Sequence, residues 1–144
     1  MRRIATLGGI AILLVAPASA SAGKIKLQGA VAGAPASNVK ITVTKKRGNL
    51  QQITKLKFAR VPLNCSDGTS GAITGQSTGS FKVRGKDFTR RTRIEGIGIQ
   101  KGYFRVSGKF RRGGKVAKGF VRFAIKATSG AGCGTGNVRW KAVK

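Results

Sequence analysis

Apolar and polar residues alternate along short segments of this chain, and turn-forming residues separate the segments. The clearest segment is residues 39–44, where Val39, Ile41 and Val43 alternate with polar residues. A period of two is typical of a β-strand that buries one face and exposes the other to water. The pattern therefore predicts strands rather than helices.

One pattern occurs twice. Residues 79–86 and 102–109 both read Gly-x-Phe-basic-Val-x-Gly-Lys, and each copy is followed within two residues by a further Phe. In both copies the Phe and the Val fall on alternate positions with polar residues between them. Glycines in such patterns mark turns and bulges. The two copies predict two strands of an antiparallel run, over residues 81–88 and 103–110.

The remaining segments predict further strands and connections. The predicted strands also cover residues 23–33, 39–44, 50–63, 72–75, 94–99, 116–127 and 138–142, and the predicted connections cover residues 32–37, 45–49, 64–69, 89–93, 111–115 and 128–136. Within the third of these strands the apolar phase shifts, which predicts a bulge near Ala59 and Arg60, and Pro62 indicates a strand edge or end. About eight or nine short strands without a helix favour an all-β fold, either an antiparallel β-sandwich (jelly-roll or immunoglobulin-like) or a barrel.

Residues 1–22 have the organisation of a secretory signal peptide. A short basic head precedes a largely apolar stretch of 13 residues, residues 4–16, and small residues follow it. We predict cleavage after Ala22, or otherwise after Ala20. A membrane anchor is disfavoured because a span needs about 18–20 apolar residues. Residues 23–144 are then expected to form a single domain that is secreted, extracellular or associated with the cell envelope.

The chain has two cysteines, Cys65 and Cys133, which lie 68 positions apart. Outside the cytoplasm an even pair of cysteines usually forms a disulfide. A reactive or metal-binding thiol pair is disfavoured, because the chain has no His and no Cys-x-x-Cys spacing. We therefore predict one disulfide, which would hold the last strand, residues 138–142, in the sheet.

The composition adds a strong positive charge to this fold. The chain holds 29 Lys and Arg, 3 Asp and Glu and no His, a formal net charge of +26. This excess predicts affinity for polyanions, against the alternative of a generic solvated surface with lysines that protect strand edges. The densest basic clusters fall in predicted turns and are Lys45, Lys46 and Arg47; Arg90, Arg91 and Arg93; and Arg111, Arg112 and Lys115.

These clusters suggest how a binding patch could be built. The second and third clusters would form one patch if they met at one end of the strand run. Basic residues on predicted strands would extend that patch across a sheet face, namely Lys82, Arg84, Arg105, Lys109, Arg122 and Lys126.

The residues needed for catalysis are scarce. The three acids are Asp67, Asp87 and Glu95, and no His is present to transfer protons. Asp87 and Glu95 would meet only across a hairpin, and they are better interpreted as counter-charges among basic residues. A calcium site around Asp67 would have one carboxylate, and the glycine-rich residues 130–136 precede a strand rather than a helix. We therefore predict no enzymatic activity, no cofactor and no metal.

The aromatic residues limit the choice of polyanion. Most Phe residues fall on apolar faces, Trp140 is predicted to lie in the core, and Tyr103 is the one ring expected to be exposed. Recognition of single strands usually combines a basic groove with exposed aromatic rings. Sequence-specific reading of nucleic acid is therefore not expected, and neutral sugars are disfavoured for the same reason.

Several short motifs resemble those of a known group. They are Phe-x-x-Val-Pro-x-x-Cys-x-Asp-Gly at residues 58–68, Ser-Gly-Lys-Phe at residues 107–110 and Cys-x-x-Gly-x-Val-Arg-Trp-x-Ala at residues 133–142. Together with the N-terminal segment, they resemble uncharacterised, small, secreted, Lys-rich proteins of soil actinobacteria. The resemblance implies a β-sandwich and export from the cell, and it implies no particular activity.

These observations predict a secreted, non-enzymatic protein that associates electrostatically with anionic polymers. Candidate partners are wall polymers, phospholipid head groups and extracellular nucleic acid, bound without specificity. The alternatives are a structural module of the cell envelope or matrix without a ligand, and a carbohydrate-binding module. The sequence indicates no particular oligomeric state.

Overall fold

The computed structural model describes residues 22–144, which form ten β-strands and one 3₁₀ turn at Arg112–Gly114. The strands are β1 (Gly23–Val31), β2 (Ala34–Lys46), β3 (Asn49–Cys65), β4 (Ser70–Gln76), β5 (Phe81–Lys82), β6 (Asp87–Arg93), β7 (Ile99–Arg111), β8 (Val116–Ala127), β9 (Gly132–Gly134) and β10 (Val138–Val143). All paired strands run antiparallel. The predicted all-β, antiparallel fold is confirmed.

Six of the strands close into a barrel. Each strand of the series β1, β2, β3, β9, β8 and β10 pairs with the next, and β10 pairs with β1 to complete the ring. One edge of β8 pairs with β10 and then β9, while its other edge pairs with β7 along its whole length. β6 extends the sheet beyond β7, and β4 and β5 pair with β3.

Large apolar side chains from the barrel strands β3, β8 and β10 and from the neighbouring strand β7 meet in one core. The Phe58 ring packs edge-on against Phe104, Phe123 and Trp140, with ring centroids 6.3, 6.4 and 5.8 Å apart. All four side chains are buried. The edge-to-face arrangement adds about 0.5–1.5 kcal/mol per ring pair to the gain from burial. The prediction that Trp140 lies in the core is confirmed.

The predicted bulge in β3 is present. The pairing of β3 with β4 shifts register between Phe58 and Val61, and Arg60 has φ 55°. The extra residue lets Phe58 and Val61 both face the core although three positions separate them. β2 pairs with β3 only as far as Ala59, so Pro62 lies beyond the end of that pairing.

The repeated pattern adopts two different structures. Residues 102–109 lie within the long strand β7, as predicted. Residues 79–86 form only the two-residue β5 and a tight turn at Gly85, whose φ is 63°, so the strand predicted over residues 81–88 is wrong. β7 has a paired strand on each side, whereas β5 pairs only with Gln52 and Ile53 of β3.

The prediction was also wrong on both sides of Ile94. Residues 89–93, expected to be a connector, belong to β6, and residues 94–99, expected to be a strand, contain the connection to β7. Arg90 and Thr92 occupy inward-facing positions of β6, and these polar residues hid its alternation. The connection between β1 and β2 is likewise shorter than predicted, because β2 already begins at Ala34.

The disulfide between Cys65 and Cys133 is confirmed. The two cysteines are directly paired residues of β3 and β9. The bond therefore fixes β9 rather than the last strand, contrary to the expectation from the sequence. The last strand, β10, is held by its own pairings with β1 and β8.

The predicted signal peptide, residues 1–22, lies outside the described residues except for Ala22. Within residues 22–144, no helix has the length and apolar character needed to span a membrane.

A basic groove as the candidate functional site

One face of the sheet gathers basic side chains from several strands. We call the solvent-facing side of the neighbouring strands β6, β7, β8, β10 and β1 the outer face. Because successive side chains of a strand point to opposite sides, each strand contributes every second residue to this face. Its basic residues are Lys24, Lys26, Arg91, Arg93, Lys101, Arg105, Lys109, Arg111, Lys118, Arg122, Lys126, Arg139 and Lys141.

Three arginines on the outer face lie directly opposite one another. Arg91 of β6 pairs with Arg105 of β7, and Arg105 pairs with Arg122 of β8. Neighbouring strands lie about 4.8 Å apart, so this arginine ladder concentrates three positive charges in a short row. Like charges in directly opposed positions destabilise a sheet. The ladder is therefore a site where an anion would be favourable.

A second row of positive charge lies further along the same strands. Lys109, Lys118 and Lys141 are opposite one another on β7, β8 and β10 and form the lysine row. Asp87, at the β6 end of this row, holds an oxygen 3.7 Å from the Lys109 Nζ. Both groups of that pair are largely exposed, so the contact leaves most of the positive charge uncompensated.

Two aromatic rings stand among these cations. Phe120 is 46% exposed between Lys118 and Arg122 on β8, and the Arg139 guanidinium carbon lies 5.9 Å from its ring centroid. Tyr103 is partly buried, and the Arg91 guanidinium carbon lies 4.1 Å above its ring. The expectation that Tyr103 would be the one exposed ring was wrong. Phe120 shares the polar phase of β8, which is the sequence signal that would have revealed it.

The outer face is not flat. Three depressions of about 700, 710 and 690 Å³ follow one another along it. The first and second share Thr89, Ser107 and Phe120, and the second and third share Arg91 and Tyr103. We call the continuous depression the outer groove. The arginine ladder crosses its middle, the lysine row lines one end and Tyr103 lies towards the other.

Two glycines permit the backbone shape beneath the groove. Gly108 and Gly119 are directly opposed on β7 and β8. A Cβ at Gly119 would overlap the carbonyl oxygen of Ser107, and a Cβ at Gly108 would lie 2.5 Å from Phe88 Cζ and 2.7 Å from Trp140 Cζ2. Glycine in a strand interior marks such close approaches and tight bends. The glycine pair thus lets the strands and the core rings meet under the groove.

The three carboxylates lie apart from the arginine ladder. Asp87 begins β6 and contacts Lys109, whereas Glu95 lies in the connection after β6 and contacts Arg93, with the Glu95 oxygen 3.2 Å from the Arg93 Nε. They do not meet across a hairpin, and each lies beside a basic side chain, as the interpretation as counter-charges expected. Within residues 22–144, neither ion pair includes a member of the ladder.

The third acid, Asp67, serves a turn. Its Oδ1 accepts hydrogen bonds from the Thr69 hydroxyl at 2.6 Å and from the Thr69 N–H at 2.9 Å, which lower the pKa of Asp67. Gly68 completes this predicted turn with φ 83°. In the part of the chain that the structure describes, no group of three or more His, Cys, Asp or Glu side chains could hold a metal ion.

The predicted basic clusters are distributed differently from the expectation. Lys45 and Lys46 end β2 and Arg47 lies in the turn to β3, while Arg111 ends β7 and Arg112 and Lys115 lie in the turn to β8. The Lys45 Nζ donates a hydrogen bond to the Gly113 carbonyl at 3.4 Å, so the first and third clusters are neighbours. The second cluster lies on β6 and pairs with residues 103–106 in the middle of β7, so the second and third clusters do not meet at one end of the strand run.

Arg90 differs from Arg91 although they are adjacent in sequence. Its side chain is on the inward phase of β6, where Nη2 donates a hydrogen bond to the Thr78 carbonyl at 3.0 Å. Its guanidinium carbon also lies 5.4 Å from the centroid of the Phe81 ring. Arg90 therefore fastens the segment around β5, and Arg91 faces the groove.

Sequence reasoning identified part of the groove. Arg105, Lys109, Arg122 and Lys126 were expected on a sheet face and are found there. Lys82 and Arg84 line a further depression of about 470 Å³ beside β6, which shares Asp87, Phe88 and Thr89 with the first depression of the outer groove. The residues that it missed are Lys101 at one end of the groove and, at the other, Lys118, Phe120, Arg139 and Lys141. Alternation places each of the latter four on the polar side of its strand, but only the pairing of β8 with β10 brings them together.

The chain was compared with family models, curated proteins and solved structures, and none of them matches it. The resemblance to secreted actinobacterial proteins stays a prediction.

Proposed function

We propose that this protein is secreted, has no enzymatic activity and binds anionic polymers outside the cell or at its envelope through the outer groove. The observation that carries this proposal is the arginine ladder, in which Arg91, Arg105 and Arg122 are directly paired positions of three neighbouring strands. A bound anion would screen the repulsion between these arginines and would attract each of them.

The length of the groove favours a polymer over a small anion. Cations occupy it from the lysine row to Lys101 and Lys126, so one extended ligand would contact many of them at once. Arginine also binds phosphate and carboxylate groups through two parallel hydrogen bonds. Each neutralised contact releases counterions, so the affinity should fall steeply as salt rises.

The disulfide supports the proposed location. Disulfides form and persist in oxidising environments outside the cytoplasm. The bond between Cys65 and Cys133 is compatible with an exported protein, and the N-terminal segment provides the predicted route.

The test is co-sedimentation of the purified protein with isolated cell-wall material and titration with soluble polyanions, from low to high salt. The variant replaces all three ladder arginines by Gln. The matched control replaces Lys40, Lys55 and Lys57 of β2 and β3 by Gln, which removes the same charge outside the groove. We expect saturable, salt-sensitive binding that falls at least tenfold in the ladder variant and much less in the control.

Equal losses in both variants would contradict the groove as the site. Absence of saturable binding at low salt would overturn the proposal and favour a structural module of the envelope. Binding to neutral glycans that persists at high salt would favour a carbohydrate-binding module.

A further inference from the structure

The two aromatic rings of the outer groove lie on opposite sides of the arginine ladder. Phe120 is opposite Ser107, and Tyr103 lies four residues from Ser107 along β7, a distance of about 13 Å at the rise of a strand. Arg105 stands between these two positions. Along the strands, the groove therefore presents Phe120, then the row of paired arginines, and then Tyr103 with Arg91 over its ring.

Each ring also has a guanidinium beside it. Arg91 covers Tyr103 at 4.1 Å, and Arg139 lies 5.9 Å from the Phe120 centroid. Flat aromatic groups of a ligand stack on phenyl rings and on guanidinium planes alike. The same guanidinium groups donate hydrogen bonds to phosphate oxygens. This combination fits a ligand that carries flat rings and phosphates at regular intervals.

Other polyanions use less of this surface. A polymer without rings, such as polyphosphate, would contact the arginine ladder and the lysine row and leave Phe120 exposed. A double helix keeps its bases stacked inside and offers mainly phosphates and base edges. A flat lipid surface would meet the protruding cations before it reached a ring in the groove. Single strands alone offer both phosphates and accessible base faces.

We infer that the outer groove binds single-stranded nucleic acid, with bases stacked on Phe120 and on the Arg91 guanidinium that covers Tyr103, and with phosphates held by Arg105 and Arg122 of the arginine ladder. This inference rests on the proposed function and narrows its ligand class. Base faces are common to all nucleotides, so the binding is tolerant of sequence. It is also sensitive to salt, because the phosphate contacts release counterions.

The test measures fluorescence anisotropy of two labelled probes at several salt concentrations, a single-stranded oligothymidine and a duplex of the same length. In a second experiment, polyphosphate or an acidic polysaccharide competes with the labelled oligothymidine. The variant is Phe120→Ala, and Phe120→Trp restores a stacking ring. The control is Ile97→Ala, which shortens a fully exposed apolar side chain between β6 and β7.

We expect Phe120→Ala to weaken binding of the single strand about tenfold, with Phe120→Trp at or above the wild-type affinity and Ile97→Ala unchanged. The inhibition constant of polyphosphate, calculated from the competition with each protein's own affinity for the single strand, should be the same for Phe120→Ala and the wild type. Thermal unfolding of each variant shows that the fold is retained.

The inference is overturned if the duplex binds more tightly than the single strand. It is also overturned if Phe120→Ala leaves single-strand binding unchanged, or if the acidic polysaccharide is the polymer whose binding depends on Phe120. These results would leave the proposed function standing. If no polyanion binds, both the inference and the proposed function fail.

Discussion

Arg105 of β7 lies directly opposite Arg122 of β8 on the outer face, and Arg91 lies opposite Arg105 on its other side. Directly opposed like charges destabilise a sheet, whereas opposite charges stabilise it by about 0.2–1 kcal/mol. The sheet therefore carries a local destabilisation at the point where the groove is most positive. A ligand-binding surface commonly gives up stability in this way.

The variant Arg122→Glu tests whether the opposed arginines destabilise the sheet. It would place a carboxylate opposite Arg105, and we expect it to raise the free energy of unfolding by about 0.5–1 kcal/mol at low salt, with a smaller gain at high salt. The same variant should bind polyanions more weakly. Urea unfolding at two salt concentrations measures the first effect, and Arg122→Gln separates the relief of repulsion from the new attraction. A folded Arg122→Glu protein that is less stable than the wild type at low salt would refute the argument.

The same substitution should affect mainly stability at Arg90 and mainly polyanion binding at Arg91. Arg90→Gln removes a hydrogen bond to Thr78 and a contact with the Phe81 ring, so we expect a loss of about 1–2 kcal/mol of stability. Arg91→Gln removes the contact with the Tyr103 ring but also relieves the repulsion from Arg105, so it should change stability less than Arg90→Gln does and should weaken polyanion binding. Thermal unfolding and a binding titration on both variants provide the comparison, and the assignment fails if the two effects are reversed.

The disulfide should contribute more to the free energy of unfolding than its position on the three-residue strand β9 suggests. β9 joins β3 and β8 through few paired residues, so the Cys65–Cys133 bond reinforces a narrow seam of the barrel. With 68 positions between the cysteines, its loss should lower the free energy of unfolding by about 4 kcal/mol. Urea unfolding with and without reductant measures this loss.

The control for that experiment is the double variant Cys65→Ser with Cys133→Ser. It should match the reduced wild type and show no response to reductant. Equal stability of the oxidised and reduced wild type, with free thiols demonstrated, would contradict the prediction.

Gly119 should tolerate no side chain. Its added Cβ would overlap the backbone of β7, which cannot rotate away as a side chain can, so we expect Gly119→Ala to destabilise the protein by about 3 kcal/mol. Gly71 of β4 has open space around its Cβ position, and Gly71→Ala should change stability by less than about 0.5 kcal/mol. Thermal unfolding of both variants distinguishes a close backbone approach from a general effect of glycine loss, which would give similar values for the two.

Several features followed from local sequence alone. Alternation predicted most strands, the phase shift before Val61 predicted the bulge at Arg60, and the cysteine pair predicted the disulfide. The strands and the bulge depend on residues that are close in the chain. The disulfide depends on a reaction for which each cysteine has only one possible partner, because the chain has two cysteines. Alternation failed at β6, because Arg90 and Thr92 face inwards there and mask the period of two.

The repeated pattern shows where local information ends. Residues 79–86 and 102–109 share their residue types, yet the second copy lies in a strand paired on both sides and the first contains a two-residue strand and a turn. The difference comes from the available neighbours. β8 and β6 supply hydrogen-bond partners along β7, while β3 offers β5 only two residues.

The sequence by itself determined the all-β class, the disulfide, the core position of Trp140 and an excess of positive charge. Tertiary structure decided where that charge is concentrated. The alignment of Arg91, Arg105 and Arg122 depends on the register of three strands, and the position of Phe120 beside Arg139 depends on the pairing of β8 with β10. A shift of one residue in either register would turn these side chains to the opposite face, because strand side chains alternate. Long-range strand pairing therefore brings basic residues that are scattered along the sequence together in one groove.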